Sequence, residues 1–232
     1  MTDAPQLTAL VLGASRSIGL AIVEQLADRG WQVVGTARHG SGSDLHAAAD
    51  RSSGRIEVER ADLTEQQSLL DLRSRVDGRT IDLLWINGAI PSTDAPGLDA
   101  TVEEFTQVML TNALGPMHAI AALQDLVPPS GTIAVMSSTQ GSITLNTRGG
   151  YDVYRASKSA LNQLMRSHAA RAADDPRTLL LMNPGHVRTG LGGPGAQLTI
   201  EEVVPVLVDT VLAQEGHGGL RFLQRTGEEI PW

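Results

Sequence analysis

The sequence predicts an α/β fold, a doubly wound parallel sheet in one domain with helices on both faces, and three observations predict it. Short apolar runs of strand length alternate along the chain with longer stretches of helical periodicity. The segments that join them are short, as in crossover connections between parallel strands. Most runs also end in glycine, asparagine, serine or aspartate, residue types that let backbone or a small polar group meet a ligand at the carboxyl end of a strand. No internal repeat, linker or low-complexity tract divides the 232 residues.

Residues 7–12 form the first run, too short for a helix and rich in Val and Leu. Gly13, Ala14, Ser15, Arg16, Ser17, Ile18 and Gly19 follow, then the helical pattern Leu20, Ile22, Val23, Leu26. Strand, glycine turn and helix start in series make an anion site suited to a pyrophosphate, because free backbone N–H groups and the positive end of the helix dipole point the same way. Gly30 closes the helix, and residues 31–38 read as a second strand ending in Ala37 and Arg38. A fold that prefers a bare ribose carries an acid near the end of this strand, whereas a base such as Arg38 suits a 2′-phosphate. A short helix near 44–50 and a strand near 56–59 come next, leading into Ala61, Asp62 and Leu63. Thr64 is placed to cap a helix over 66–76.

Residues 81–86 are the fourth strand, ending in Asn87, Gly88 and Ala89, where small residues admit a flat ligand. Thr101 and Glu104 form a capping box that opens a long helix to about Leu126, with Pro116 expected to kink it just after Asn112. Asn112 on this apolar helix reads equally as a satisfied core amide. The fifth strand, 131–136, leads into Ser137 and Ser138. After the loop 142–150 come a helix, a strand at 178–182 and the turn Pro184, Gly185, His186, Val187, Arg188, Thr189. Thr199 caps another helix to about Gln214, and residues 220–223 read as a last strand.

Tyr154 and Lys158 lie four apart, on one face if their segment is helical. Lys158 is the only lysine, the other seventeen of the 18 basic residues being Arg, and Tyr154 is one of 2 tyrosines. A compact charge with a movable pKa beside a phenol makes a proton donor.

Composition excludes several classes. A net charge of -8 with no basic cluster argues against nucleic acid, and no apolar run approaches a membrane span. With no cysteine and no ligand spacing among the 6 histidines, a metal site is not expected. Met1, Thr2, Asp3, Ala4 and Pro5 lack the pattern of a secretory leader, so the cytoplasm is the expected compartment.

Over essentially its whole length the chain resembles the short-chain dehydrogenase/reductase family, single-domain Rossmann-fold oxidoreductases. The resemblance rests on Gly13-x-x-x-Ser17-x-Gly19, Asp62, Asn87-Gly88-Ala89, Asn112, Ser138, Tyr154 with Lys158, and Pro184-Gly185. It is closest to the carbonyl reductases of the sniffer and C-factor type through Gly149-Gly150, the Tyr154 to Lys158 run and the ending Gly227 to Trp232. Departures are Ser17 in place of the middle glycine, Ile86 ahead of Asn87-Gly88-Ala89 where the family has Asn-Asn-Ala-Gly, and a longer gap between Ser138 and Tyr154, which puts extra residues in the loop 142–150. Gly141 favours Ser138 over Ser137 as the family serine.

The resemblance implies hydride transfer from a reduced nicotinamide to a ketone or aldehyde, or the reverse with an alcohol, with Tyr154 as proton donor. Ser138 would bind the substrate oxygen, Lys158 would lower the phenol pKa and hold the ribose, and Asn112 would anchor a water joining Lys158 to solvent. Cofactor contacts are implied at Gly13, Ser15, Arg16, Ser17, Ile18, Gly19, Arg38, Asp62, Leu63, Asn87, Gly88, Ala89, Tyr154, Lys158, Pro184, Gly185, Val187 and Thr189. Arg16 and Arg38 together favour NADPH (NADP) over NADH. Pairing of copies into a homodimer or homotetramer through the Asn112 and Tyr154 helices is also implied. A signalling protein of the same fold with little turnover is the alternative.

Overall fold

The computed structural model describes residues 6–193 and 195–232. The opening residues 1–5, and Pro194 within the loop 190–196 expected to border the substrate pocket, lie outside the described residues. One seven-stranded sheet, every neighbouring pair parallel, has the order β3-β2-β1-β4-β5-β6-β7. The strands are β1 (Thr8–Leu12), β2 (Gln32–Ala37), β3 (Ile56–Arg60), β4 (Leu83–Ile86), β5 (Thr132–Met136), β6 (Thr178–Asn183) and β7 (Gly219–Gln224). The helices are α1 (Ser17–Asp28), α2 (Ser43–Arg51), α3 (Gln66–Arg75), α4 (Val102–Met109), α5 (Gly115–Leu123), α6 (Asp152–Arg171) and α7 (Ile200–Leu212).

Strand residues alternate between two cores, which is why the central runs are apolar without interruption. Leu10 and Leu12 of β1 face one core with Leu69 and Leu72 of α3, Ile120 and Leu123 of α5, and Leu161 and Met165 of α6. Ala9 and Val11 face the other, with Ile22, Val23 and Leu26 of α1, Leu45 of α2, and Val204 and Leu207 of α7. Strand order reverses between β1 and β4, and the crevice at their carboxyl ends is where such sheets bind ligands. Among the described residues no helix is long and apolar enough to cross a membrane.

Three local expectations are corrected. The helix expected to run from Thr101 to about Leu126 is broken by a π-helical turn, Leu110–Leu114, with Pro116 just beyond it. The break therefore spans Asn112 rather than following it. Thr101 does cap α4, its hydroxyl accepting from the Glu104 amide at 3.1 Å, but the Glu104 carboxylate does not return to it. That carboxylate instead accepts from the Thr93 amide at 2.6 Å. Thr64 does not cap α3, since its amide and hydroxyl both donate to Asp62 Oδ1, at 2.8 and 2.7 Å. The capping box at Thr199 and Glu202 is complete.

At the switch point the turn after β1 closes on the end of β4. A Cβ on Gly19 would stand 2.1 Å from the Gly13 carbonyl oxygen and 2.7 Å from Asn87 Nδ2. Overpacking of this kind costs about 1–3 kcal/mol, and each kcal/mol lowers the melting temperature of a chain this size by about 2–4 °C. Gly19→Ala is therefore expected to melt several degrees below wild type, while Gly190→Ala, whose Cβ would meet nothing within 4 Å and whose backbone is not left-handed, moves it less. Thermal unfolding of both variants checks this.

Candidate functional site

The sequence-predicted site residues gather along the carboxyl edge of the sheet, one group after each strand from β1 to β6. After β1, Gly13 has φ 79 and Ser17 φ 52. Ser17 thus adopts the left-handed backbone that a glycine would favour, which explains how a serine stands at the motif's middle position. Asn87 Nδ2 donates to the Gly13 carbonyl at 3.1 Å and fixes the turn. Helix α1 then begins with no side-chain cap and no acid in its first turn, so its opening amides are left for an anion. Turn and helix start fit a dinucleotide pyrophosphate.

At the ends of β2 and β3, Arg38, His39, Ser41, Arg60, Asp62 and Glu65 line a cleft of about 220 Å³. The sequence pairs Arg38 with Arg16, but Arg16, on the glycine turn, is not among the residues lining this cleft, and Arg60 is. Arg60 was not singled out from the sequence. The signal for it is register, because Ala37 pairs with Arg60 across β2 and β3 and brings the two arginines together. Leu63 is buried beneath Gly88, where an added Cβ would come 2.5 Å from Leu63 Cδ1.

Helix α6 carries Tyr154 and Lys158, both buried. The Lys158 ammonium stands 5.8 Å from the centre of the Tyr154 ring and donates to the Met136 carbonyl at 3.0 Å. Burial pushes the Lys158 pKa down to about 7. Burial pushes the Tyr154 pKa up to about 12, against a hydrogen bond with Ser138 that lowers it. The sequence reading expects Lys158 to acidify this phenol, whereas in the chain alone desolvation dominates both groups. Ser138 faces Tyr154 and accepts from the Gln140 amide at 3.1 Å. Ser137 is buried and donates to Asn162 Oδ1 at 2.7 Å, so its hydroxyl is already engaged.

Asn112 sits in the π-helical turn with its side chain fully engaged. Its Oδ1 accepts from the Ile90 amide at 2.8 Å, and its Nδ2 donates to the Ile90 carbonyl at 2.9 Å and to Ser157 Oγ at 3.1 Å. It ties the β4 exit to the residue beside Lys158. Pro116, four residues on, has no N–H to give the Asn112 carbonyl.

The loop after β4, residues 90–99, is stitched to the start of α6. Asp94 accepts from the Tyr151 amide at 2.9 Å, Asp152 accepts from the Gly97 amide at 2.9 Å, and Ser92 accepts from the Tyr154 amide at 3.2 Å. Neither Asp94 nor Asp152 was singled out from the sequence. Tyr151, with φ 51, is half-exposed and left-handed, apart from the Tyr154 site. Pro184 and Gly185 follow β6, and Gly185, with φ 88, lies where a Cβ would come 2.9 Å from Leu198 Cδ1. Val187 is buried and bridges Leu198, and Thr189 Oγ1 accepts from the Gly192 amide at 3.0 Å.

A family model described as short chain dehydrogenase matches residues 7–197. The chain belongs to the short-chain dehydrogenase family. It is an oxidoreductase of that family by descent. A Burkholderia multivorans chain solved with bound NADP matches this dehydrogenase with a TM-score of 0.96 at 42% identity, covering 98% of this chain and 100% of that one. A carbonyl reductase from Pseudomonas aeruginosa in complex with NADP matches at 0.90 and 34%, with 98% and 100% covered. The carbonyl reductase Sniffer of D. melanogaster matches at 0.88 and 25%, again over 98% and 100%. These neighbours support a nicotinamide cofactor for this dehydrogenase.

Lys158 also sets a pH dependence of stability. Its folded pKa of about 7 lies below the ordinary 10.5, so between those values the unfolded chain binds more protons and stability rises with pH. Tyr154, raised from 10.0 to about 12, holds its proton longer in the fold, so stability falls again above its ordinary value. Wild type is expected to gain stability relative to Lys158→Met as pH rises from about 7 toward about 10. Urea midpoints of both proteins across that range check it, and a constant difference would contradict the assignment.

Proposed function

We propose that the chain is a single-domain, NADPH-dependent carbonyl reductase that reduces a ketone or aldehyde to an alcohol, with Tyr154 as proton donor. The observation that carries this reading is the buried pair Tyr154 and Lys158 with the half-buried Ser138 facing the phenol, at the carboxyl edge of the sheet and beside an uncapped glycine turn. Reduced nicotinamide, when bound, supplies the hydride. Gly13, Ser15, Ser17, Ile18 and Gly19 hold the pyrophosphate, Asp62 and Leu63 the adenine end, and Asn87, Gly88 and Ala89 the middle of the dinucleotide. Pro184, Gly185, Val187 and Thr189 border its far end, and Lys158 and Tyr154 hold the nearby ribose. Arg38 and Arg16 favour the 2′-phosphate.

Ser138 orients the substrate oxygen toward the phenol. A phenol with a pKa of about 12 is fully protonated at neutral pH and so is ready to donate. The phenolate left behind is stabilised by the Lys158 charge, which acts over a short distance in a site closed to water. Asn112 holds the helix junction with its side chain and leaves its carbonyl, freed by Pro116, to seat a water that returns the proton. Half-exposed Phe105 and exposed Val102 on α4, a helix packed against α6, support pairing of copies through that face.

Tyr154→Phe is expected to lower turnover at least a hundred-fold, within the usual range of general acid catalysis, while the NADPH dissociation constant changes by less than about three-fold, because the ring still packs. NADPH oxidation with a panel of ketones, aldehydes and quinones reads the first, and fluorescence titration the second. More than a tenth of wild-type activity in the variant would overturn the role, since that is a barrier change of under about 1.4 kcal/mol. Wild type is also expected to bind NADPH at least about ten-fold tighter than NADH, with Arg38→Ala narrowing the ratio, because a charge-assisted hydrogen bond is worth about 1.5–3 kcal/mol. Equal dissociation constants for the two cofactors in wild type would reject the preference.

A further inference from the structure

The cleft between the ends of β2 and β3 is lined by two arginines. Arg60 is the last residue of β3, opposite Ala37, and Arg38 follows Ala37 directly. Both side chains are exposed into the 220 Å³ cleft, and among the described residues neither is paired with a carboxylate. The acids nearest to Arg60 along its own strand are taken from the other side. Glu59 is held by Arg75 at 2.6 Å, and Glu57 by both nitrogens of Arg79 at 2.7 and 2.9 Å. Arg60 is thereby left as a free fork beside a second free fork.

Two guanidinium groups lining one cleft suit an anion with several acceptor oxygens, which both can grip. The same cleft also carries carboxylates, Asp62 and Glu65, and one of Asp62's oxygens is already committed to Thr64. A cleft that carries both cations and acceptors suits a ligand that brings a phosphate and an amine together, and disfavours a free anion. An adenosine bearing a ribose phosphate has that chemistry. The glycine turn carrying Arg16 does not border the cleft.

We infer that Arg60 is a second determinant of cofactor choice, gripping the ribose 2′-phosphate together with Arg38. This rests on the nicotinamide dinucleotide reading given above. Arg60 acts on cofactor selection and not on the chemical step, since it lies at the edge of the sheet, with three strands between it and β5, which leads to the Ser138 turn.

The test is fluorescence titration of NADPH and NADH against wild type, Arg60→Gln, Arg60→Lys, Arg38→Gln and Arg16→Gln. Arg60→Gln is expected to weaken NADPH ten- to a hundred-fold and to leave NADH within about two-fold, with an unchanged melting temperature. Arg60→Lys keeps the charge but loses the fork, and should fall between wild type and Arg60→Gln. Arg16→Gln should move the ratio less than Arg60→Gln does. If Arg60→Gln keeps the wild-type NADPH to NADH ratio while Arg38→Gln lowers it, the role of Arg60 is overturned and the cofactor reading stands. If wild type binds neither dinucleotide, both fall.

Discussion

The close approach of Gly19 to the Gly13 carbonyl is the constraint on which the site depends. That oxygen accepts from Asn87 Nδ2 at 3.1 Å, and a Cβ on Gly13 would itself meet the Gly88 amide nitrogen at 2.8 Å. Four residues from two separate crossover units therefore meet with no room for a side chain on either glycine of the turn. The contact sets where β1 hands over to α1 and how far β4 extends beside it. It also aims the uncapped amides of α1 at the switch-point crevice, which an ordinary strand-to-helix turn would leave pointing elsewhere. Ser17 completes the arrangement by taking a backbone conformation that costs a non-glycine residue about 1–2 kcal/mol, strain held at the place where the ligand is expected.

Helix α6 departs from the rest of the interior in a way that points to function. Where other helices bury apolar stripes, α6 buries Ser157, Lys158 and Asn162 together with Tyr154. Each hydroxyl and amide has a partner: Ser157 Oγ donates to the Tyr154 carbonyl at 2.7 Å, and Asn162 Nδ2 to the Gly141 carbonyl at 3.2 Å. Lys158 alone is poorly compensated, with one backbone carbonyl against the desolvation of a full charge. A well-packed apolar residue there would give a more stable protein. The same lack of compensation that weakens the fold leaves the ammonium free to answer a developing negative charge nearby.

Much of this was legible in the sequence because it depends on local pattern. The sheet follows from runs such as 83–86 and 179–182, whose residues are buried on both faces and so read as continuously apolar. Tyr154 and Lys158 stood out because helical spacing alone puts them on one face and the lysine has no rivals in the chain. Ser138 could be preferred to Ser137 only through Gly141, whereas the structure separates them by what each hydroxyl touches. Arg60, Asp94 and Asp152 escaped because each acquires its meaning from a segment distant in sequence, a neighbouring strand or a facing loop. The role read for Thr64 failed for a physical reason: a hydroxyl two residues past an aspartate can bond that side chain instead of the helix end.

The π-helical turn at Leu110–Leu114 has a consequence for how this segment can vary. A single π turn is one residue more than a regular helix needs, and one residue corresponds to about 100° of rotation around the axis. The buried stripe of α5, made by Pro116, Ala119, Ile120 and Leu123, is thus rotated relative to Val108, the buried residue of α4. Loss of one residue between 110 and 114 would place Pro116 inside a regular helix, where its ring clashes with the preceding turn. It would also turn Asn112 away from Ile90 and swing the buried residues of one helix toward water. A one-residue deletion here therefore costs more than the same change in an exposed surface loop.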